Sequence, residues 1–159
     1  MILALLLLQS AAASTAPCPA TPAPVPAELA GWSPAMLVSA TARGDQPLTI
    51  GRGATAALRP SAQVRLAAPV GHPPAADTAS GVFTFAIATA GRYRVALGAG
   101  AWVDVVAGGT ALPSVAHAHG TACSPVRKMV DYDLQPGRYR LQIVGSAAPV
   151  ISLMIARLP

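Results

Sequence analysis

Two stretches decide the fold: GVFTFAIATAGRYRVALG, residues 81–98, and DYDLQPGRYRLQIVG, residues 131–145. Each runs through alternating apolar positions into a turn, then the tetrapeptide Gly-Arg-Tyr-Arg, then a second alternating run. Side chains on a strand alternate between faces. Phe83, Phe85, Ile87, Tyr93, Val95 and Leu97 therefore share one face, and Thr84, Ala86, Arg92 and Arg94 the other. A three-residue loop Thr89-Ala90-Gly91, with Gly91 left-handed, predicts a β-hairpin with Ile87 opposite Tyr93, Phe85 opposite Val95 and Phe83 opposite Leu97. In the second stretch a turn at Pro136-Gly137 predicts Leu134 opposite Tyr139, Tyr132 opposite Leu141 and Val130 opposite Ile143. Its polar face then pairs Asp133 with Arg140 and Asp131 with Gln142.

Outward from these stretches the chain reads as more of the same. Met36–Ala40, Leu48–Leu58 (broken at Gly51 and Gly53) and Gln63–Ala67 are short strand candidates. Pro69–Ser80 is a loop, because Pro73-Pro74 excludes both helix and central strand. Trp102–Val106 and Val150–Ala156 follow the two hairpins in matching positions, and the latter, apolar throughout, predicts a strand covered on both faces. With 16 prolines and 14 glycines in 159 residues, long helices are disfavoured and short strands joined by turns are favoured. The expected fold is all-β: a two-sheet antiparallel β-sandwich, jelly-roll-like, of about eight or nine short strands.

Met1 to Ala16 reads as a secretory signal peptide, with an apolar run over Ile2–Leu8 and Ala-x-Ala-like cleavage sites after it. That run is too short to span a bilayer, so no transmembrane anchor is expected. Residues 17–28 form a Pro/Ala-rich linker, and 29–159 the sandwich domain. Export places the protein in the periplasm or outside the cell. There Cys18 and Cys123, the only two cysteines, are expected to form a disulfide; a free Cys123 beside two histidines is the alternative.

The formal charge is +5, from ten arginines, Lys128 and six acids. No Lys/Arg run exceeds Arg127-Lys128 and aromatic residues are few, so a nucleic-acid partner is not expected. Arg92 and Arg94, with Arg138 and Arg140, would form one basic strip if both hairpins lay in one sheet, suited to an acidic polysaccharide or an envelope surface. The other chemical candidate is His117-Ala118-His119 with Cys123. Two imidazoles at i and i+2 on a strand point the same way, a donor set for Zn, Cu or, with a carboxylate, Fe. Ser124 lacks a Gly-x-Ser-x-Gly setting, and Gly51-Arg-Gly53 lacks the spacing of a phosphate loop.

The strand–turn–Gly-x-Tyr–strand pattern of VFTFAIATAGRYRVALG and DYDLQPGRYRLQIVG resembles the pre-peptidase C-terminal type of secreted β-sandwich. That resemblance spans about Gly81 to Arg157 and implies an exported, non-catalytic accessory or binding module. The whole chain also looks like short exported bacterial proteins, some labelled homogentisate 1,2-dioxygenase. This second resemblance implies a non-haem iron ring-cleaving enzyme whose iron would sit on His117 and His119. Ala111 and residues 122–124 stand where that enzyme's cupin pattern has a glycine and a glutamate.

Overall fold

The computed structural model describes residues 18, 19, 21, 23–33 and 36–159; the expected signal peptide, residues 1–16, lies outside the described residues. Among the described residues, eleven strands form two sheets. Sheet A contains β1 (Met36–Ser39), β2 (Ala54–Ala57), β5 (Gly91–Leu97), β8 (Ala116–His119), β9 (Lys128–Leu134) and β11 (Val150–Arg157), in the order β1-β2-β11-β5-β9-β8. Sheet B contains β3 (Arg59–Pro60), β4 (Ala79–Ile87), β6 (Trp102–Ala107), β7 (Thr110–Ala111) and β10 (Gly137–Ser146), in the order β3-β4-β10-β6-β7. All neighbours are antiparallel except β1 and β2. The two-sheet sandwich expected from the sequence is present. The extra strands are short: β3 and β7 of two residues each, and β8 of four, which carries the two histidines. Gln63–Ala67 is not a strand; Ser61–Gln63 form a turn of 3-10 helix.

The two predicted hairpins are not hairpins. β4 lies in sheet B and β5 in sheet A; β9 lies in sheet A and β10 in sheet B. Each Gly-Arg-Tyr-Arg therefore opens a strand that has just crossed from one sheet to the other, and each pairs with the strand leading into the other copy. Ile87, Phe85 and Phe83 face Gly137, Tyr139 and Leu141, and Leu134, Tyr132 and Val130 face Gly91, Tyr93 and Val95. Gly91 has φ 159°, far from the left-handed value near +57° that a hairpin loop would require there. Two sheets packed face to face keep the same side chains inward as a hairpin would, so the apolar face was legible and the partners were not.

The two units β4-β5-β6 and β9-β10-β11 interlock about a pseudo-two-fold axis. β6 lines the free side of β10 as β11 lines that of β5, with Arg140 opposite Val106 and Arg94 opposite Ala156. The crossings are fixed alike. The Tyr93 hydroxyl donates to the Thr89 carbonyl at 2.7 Å and the Tyr139 hydroxyl to the Gln135 carbonyl at 2.8 Å, each four residues upstream. This is tyrosine-corner geometry, in which the ring fills the inter-sheet space and the phenol satisfies the turn. Between the sheets Phe83, Leu97, Tyr132, Leu141, Ile143, Leu153 and Ile155 are fully buried, and Phe85 stacks on Tyr139 with centroids 5.5 Å apart.

Candidate functional site

The pseudo-symmetry brings the arginines to opposite faces. Arg92 and Arg94 project from the outer face of sheet A, and Arg138 and Arg140 from that of sheet B, so the single four-arginine strip is not formed. The register also corrects the expected Asp133–Arg140 and Asp131–Gln142 pairs. Asp133 lies opposite Arg92 and Asp131 opposite Arg94, because β9 pairs with β5 and not with β10.

On sheet A both motif arginines are paired with carboxylates. Arg94 Nε and Nη2 each donate at 2.8 Å to the two oxygens of Asp131, a bidentate pair, and Arg94 Nη1 also contacts Glu28. Asp131 is only 5% exposed. Its hydrogen bond to Arg94, against a smaller opposing cost of desolvation, raises the guanidinium above its ordinary value. Arg92 reaches Asp133 at 2.9 Å in the open. The Arg92 hydrogen bond holds the Asp133 carboxyl below its usual range.

Glu28 arrives on a strap, residues 23–32, that lies over sheet A. Leu29 and Trp32 pack on Ala96, Met129, Met154 and Ala156, with Val25 and Ala118 at the margin, forming a second apolar cluster. This gives β11 its cover on the outer side. The strap is anchored at its start by the Cys18–Cys123 disulfide, Cα–Cα 5.4 Å, and by Ala23 N–H donating to the Cys123 carbonyl. Glycines permit the close approach: a Cβ on Gly31 would sit 2.2 Å from the Gly51 carbonyl oxygen.

On sheet B the equivalent positions are not matched. Arg138 lies opposite Ala86 and Arg140 opposite Thr84, where the sheet-A copies meet Asp133 and Asp131. Among the described residues, neither Arg138 nor Arg140 forms an ion pair. Both line a groove of about 850 Å³ whose floor includes Thr84, Ala86 and Val106 and whose walls are Asp45, Pro47 and Leu48, Ala67, and the Gly108-Gly109 turn. One wall is pinned by Gln142, which is fully buried. Its Oε1 accepts from Ala67 N and Ala68 N at 3.0 Å, while its Nε2 donates to the Ala68 carbonyl and to Asp104 Oδ2. The other wall is laid along β4 by Leu48 N–H to Thr84 and Thr84 N–H to Gln46. Thr41 donates to Asp45 at 2.5 Å, and this bond chiefly holds the Asp45 carboxyl low. The two groove arginines are legible in the sequence as site candidates; Gln142 and Asp45, which carry no local motif, are not.

His117 and His119 share one side of edge strand β8, opposite Val130 and Lys128, and both are exposed. His117 Nε2 lies 2.7 Å from Ser114 Oγ. Cys123 is committed to the disulfide, so it brings no thiolate to the histidines. Among the described residues no group of three His, Cys, Asp or Glu side chains is placed to hold a metal ion. No carboxylate among the described residues joins His117 and His119 in such a group. Asp104, the acid set among valines in the sequence, accepts from Trp102 Nε1 at 2.9 Å as well as from Gln142.

No protein-family model and no curated protein matches this chain. No helix among the described residues is long and apolar enough to cross a membrane.

Proposed function

We propose that this protein is an exported binding module that holds an anionic partner against Arg138 and Arg140 on the outer face of sheet B. The observation that carries this reading is the contrast between the two faces. The same arginine pair is neutralised within the chain on sheet A, whereas in the sheet-B groove, where Asp45 is the one lining carboxylate, it forms no ion pair among the described residues. Guanidinium groups in a walled groove recognise carboxylate, sulfate or phosphate oxygens through directed N–H bonds.

The groove's titratable groups are Asp45, Arg138, Tyr139 and Arg140. Arginine exchanges no proton near neutrality, Asp45 is held ionised, and the Tyr139 phenol is tied to Gln135. That set suits recognition better than acid–base chemistry. The disulfide supports an oxidising compartment, periplasmic or extracellular. Acidic polysaccharide, other envelope components and acidic protein segments all meet the groove's charge.

Chromatography on an immobilised polyanion tests the proposal. The wild-type protein is expected to be retained and released by salt. R138A/R140A elutes in the flow-through, and R92A behaves as wild type. Equal retention of wild type and R138A/R140A overturns it.

A further inference from the structure

We infer that the occupant of the sheet-B groove is an extended acidic segment of a partner protein, presenting carboxylates on residues i and i+2. The inference rests on the groove reading above and names the chemistry of its ligand.

The protein contains its own example of what this arginine pair binds. At the equivalent seat on sheet A, the arginines meet Asp131 and Asp133, an acid-x-acid sequence in extended backbone. They also meet Glu28, carried by a strap of main chain laid across the outer face of the sheet. Asp131 and Asp133 stand on the neighbouring strand of the sheet, whose counterpart in sheet B is β4, while Glu28 is brought over the face by separate main chain. The registers of β4 with β10 and of β9 with β5 correspond residue for residue: Ile87–Gly137 to Leu134–Gly91, Phe85–Tyr139 to Tyr132–Tyr93, Phe83–Leu141 to Val130–Val95. The substitution of Thr84 and Ala86 for the two aspartates therefore removes two carboxylates from an otherwise repeated frame, and nothing equivalent to Glu28 lies over Arg140 among the described residues.

Spacing selects among anions. Arg138 and Arg140 are two residues apart on one strand, about 7 Å, which is also the separation of alternate side chains on an extended peptide. Adjacent acids on such a peptide point to opposite sides, so only one of them meets the face. The walls suit main chain as well. Gly108 and Gly109 carry no side chain into the groove, with φ 56° and 84°, and the ionised Asp45 accepts N–H donors.

Calorimetric titration of the purified full chain with four probes tests this: capped Ala-Glu-Ala-Glu-Ala, its isomer Ala-Glu-Glu-Ala-Ala, the Gln analogue of the first, and a galacturonate dimer of the same charge. The alternating peptide is expected to bind at least fivefold tighter than its isomer and than the galacturonate dimer. R138A removes that preference, while R92A retains it; circular dichroism and the thermal midpoint confirm that both variants are folded. Equal affinity for the two isomers overturns the spacing. Arginine-dependent binding of galacturonate with no response to peptide overturns the peptide assignment while the anionic groove stands. Independence of every probe from Arg138 and Arg140 overturns both.

Discussion

Arg94 and Arg140 occupy one structural position twice. They are 46 residues apart in the chain and are related by the pseudo-two-fold of the sandwich, yet Arg94 faces Asp131 and Arg140 faces Thr84. One arginine holds the fold together, and its twin stands in a groove.

Arg94 is accordingly expected to be the costly one to lose. Arg94→Met leaves the buried Asp131 carboxylate without its bidentate donor and is expected to reduce stability by about 3 kcal/mol. Adding Asp131→Asn recovers part of that loss, since the buried charge is gone. Arg92→Ala breaks only an exposed pair and leaves the urea midpoint unmoved. Urea denaturation of the three variants checks all of this.

The tyrosine corners are expected to behave as a matched pair. Tyr93→Phe and Tyr139→Phe each remove one phenol-to-carbonyl bond and keep the ring, at about 1 kcal/mol each. The Tyr93 effect is the larger because that side chain is buried while Tyr139 is partly exposed. Thermal unfolding of the two variants measures it.

Gln142→Leu leaves the N–H groups of Ala67 and Ala68 without their acceptor in a covered site. A loss of about 2 kcal/mol is expected. Amide exchange at residues 67 and 68 accelerates in the variant more than exchange in the core strands, because the groove wall loosens before the sandwich does.

Tyr132 sets the alkaline limit. Burial, reinforced by nearby Asp104, pushes its phenol above the ordinary value of 10.0. The unfolded chain therefore releases this proton first as pH rises. The stabilisation is whole below about pH 10 and is lost above it, with a slope of about 1.4 kcal/mol per pH unit while only the unfolded state is ionised. Tyr132→Phe is expected to remove that slope between pH 10 and 11.5, read by denaturant titration at each pH.

Reduction of the disulfide, which joins residues 105 apart, is expected to lower stability by about 4 kcal/mol through the freed unfolded chain. The non-reduced, unfolded protein shows no free thiol on titration. After reduction, Trp32 fluorescence shifts to the red as the strap loses its anchor.

By itself, the sequence determined the all-β class and which side chains face inward. Alternation has a period of two, and a shift by one residue would turn Phe83, Phe85 and Ile87 out to water. It also determined that both Gly-Arg-Tyr-Arg tetrapeptides follow turns and that their arginines face away from the core. Tertiary structure alone decided the partners. A hairpin and a crossing between facing sheets both put Ile87 and Tyr93 inward, so alternation cannot distinguish them; hydrogen bonds between strands distant in sequence do. That choice gave Asp131 and Asp133 to Arg94 and Arg92, brought Glu28 over sheet A, and left Arg138 and Arg140 facing Ala86 and Thr84. Groove walls built from residues 45–48, 67 and 108–109 meet only in space. The candidate site follows from how two copies of one motif interlock, which neither copy encodes alone.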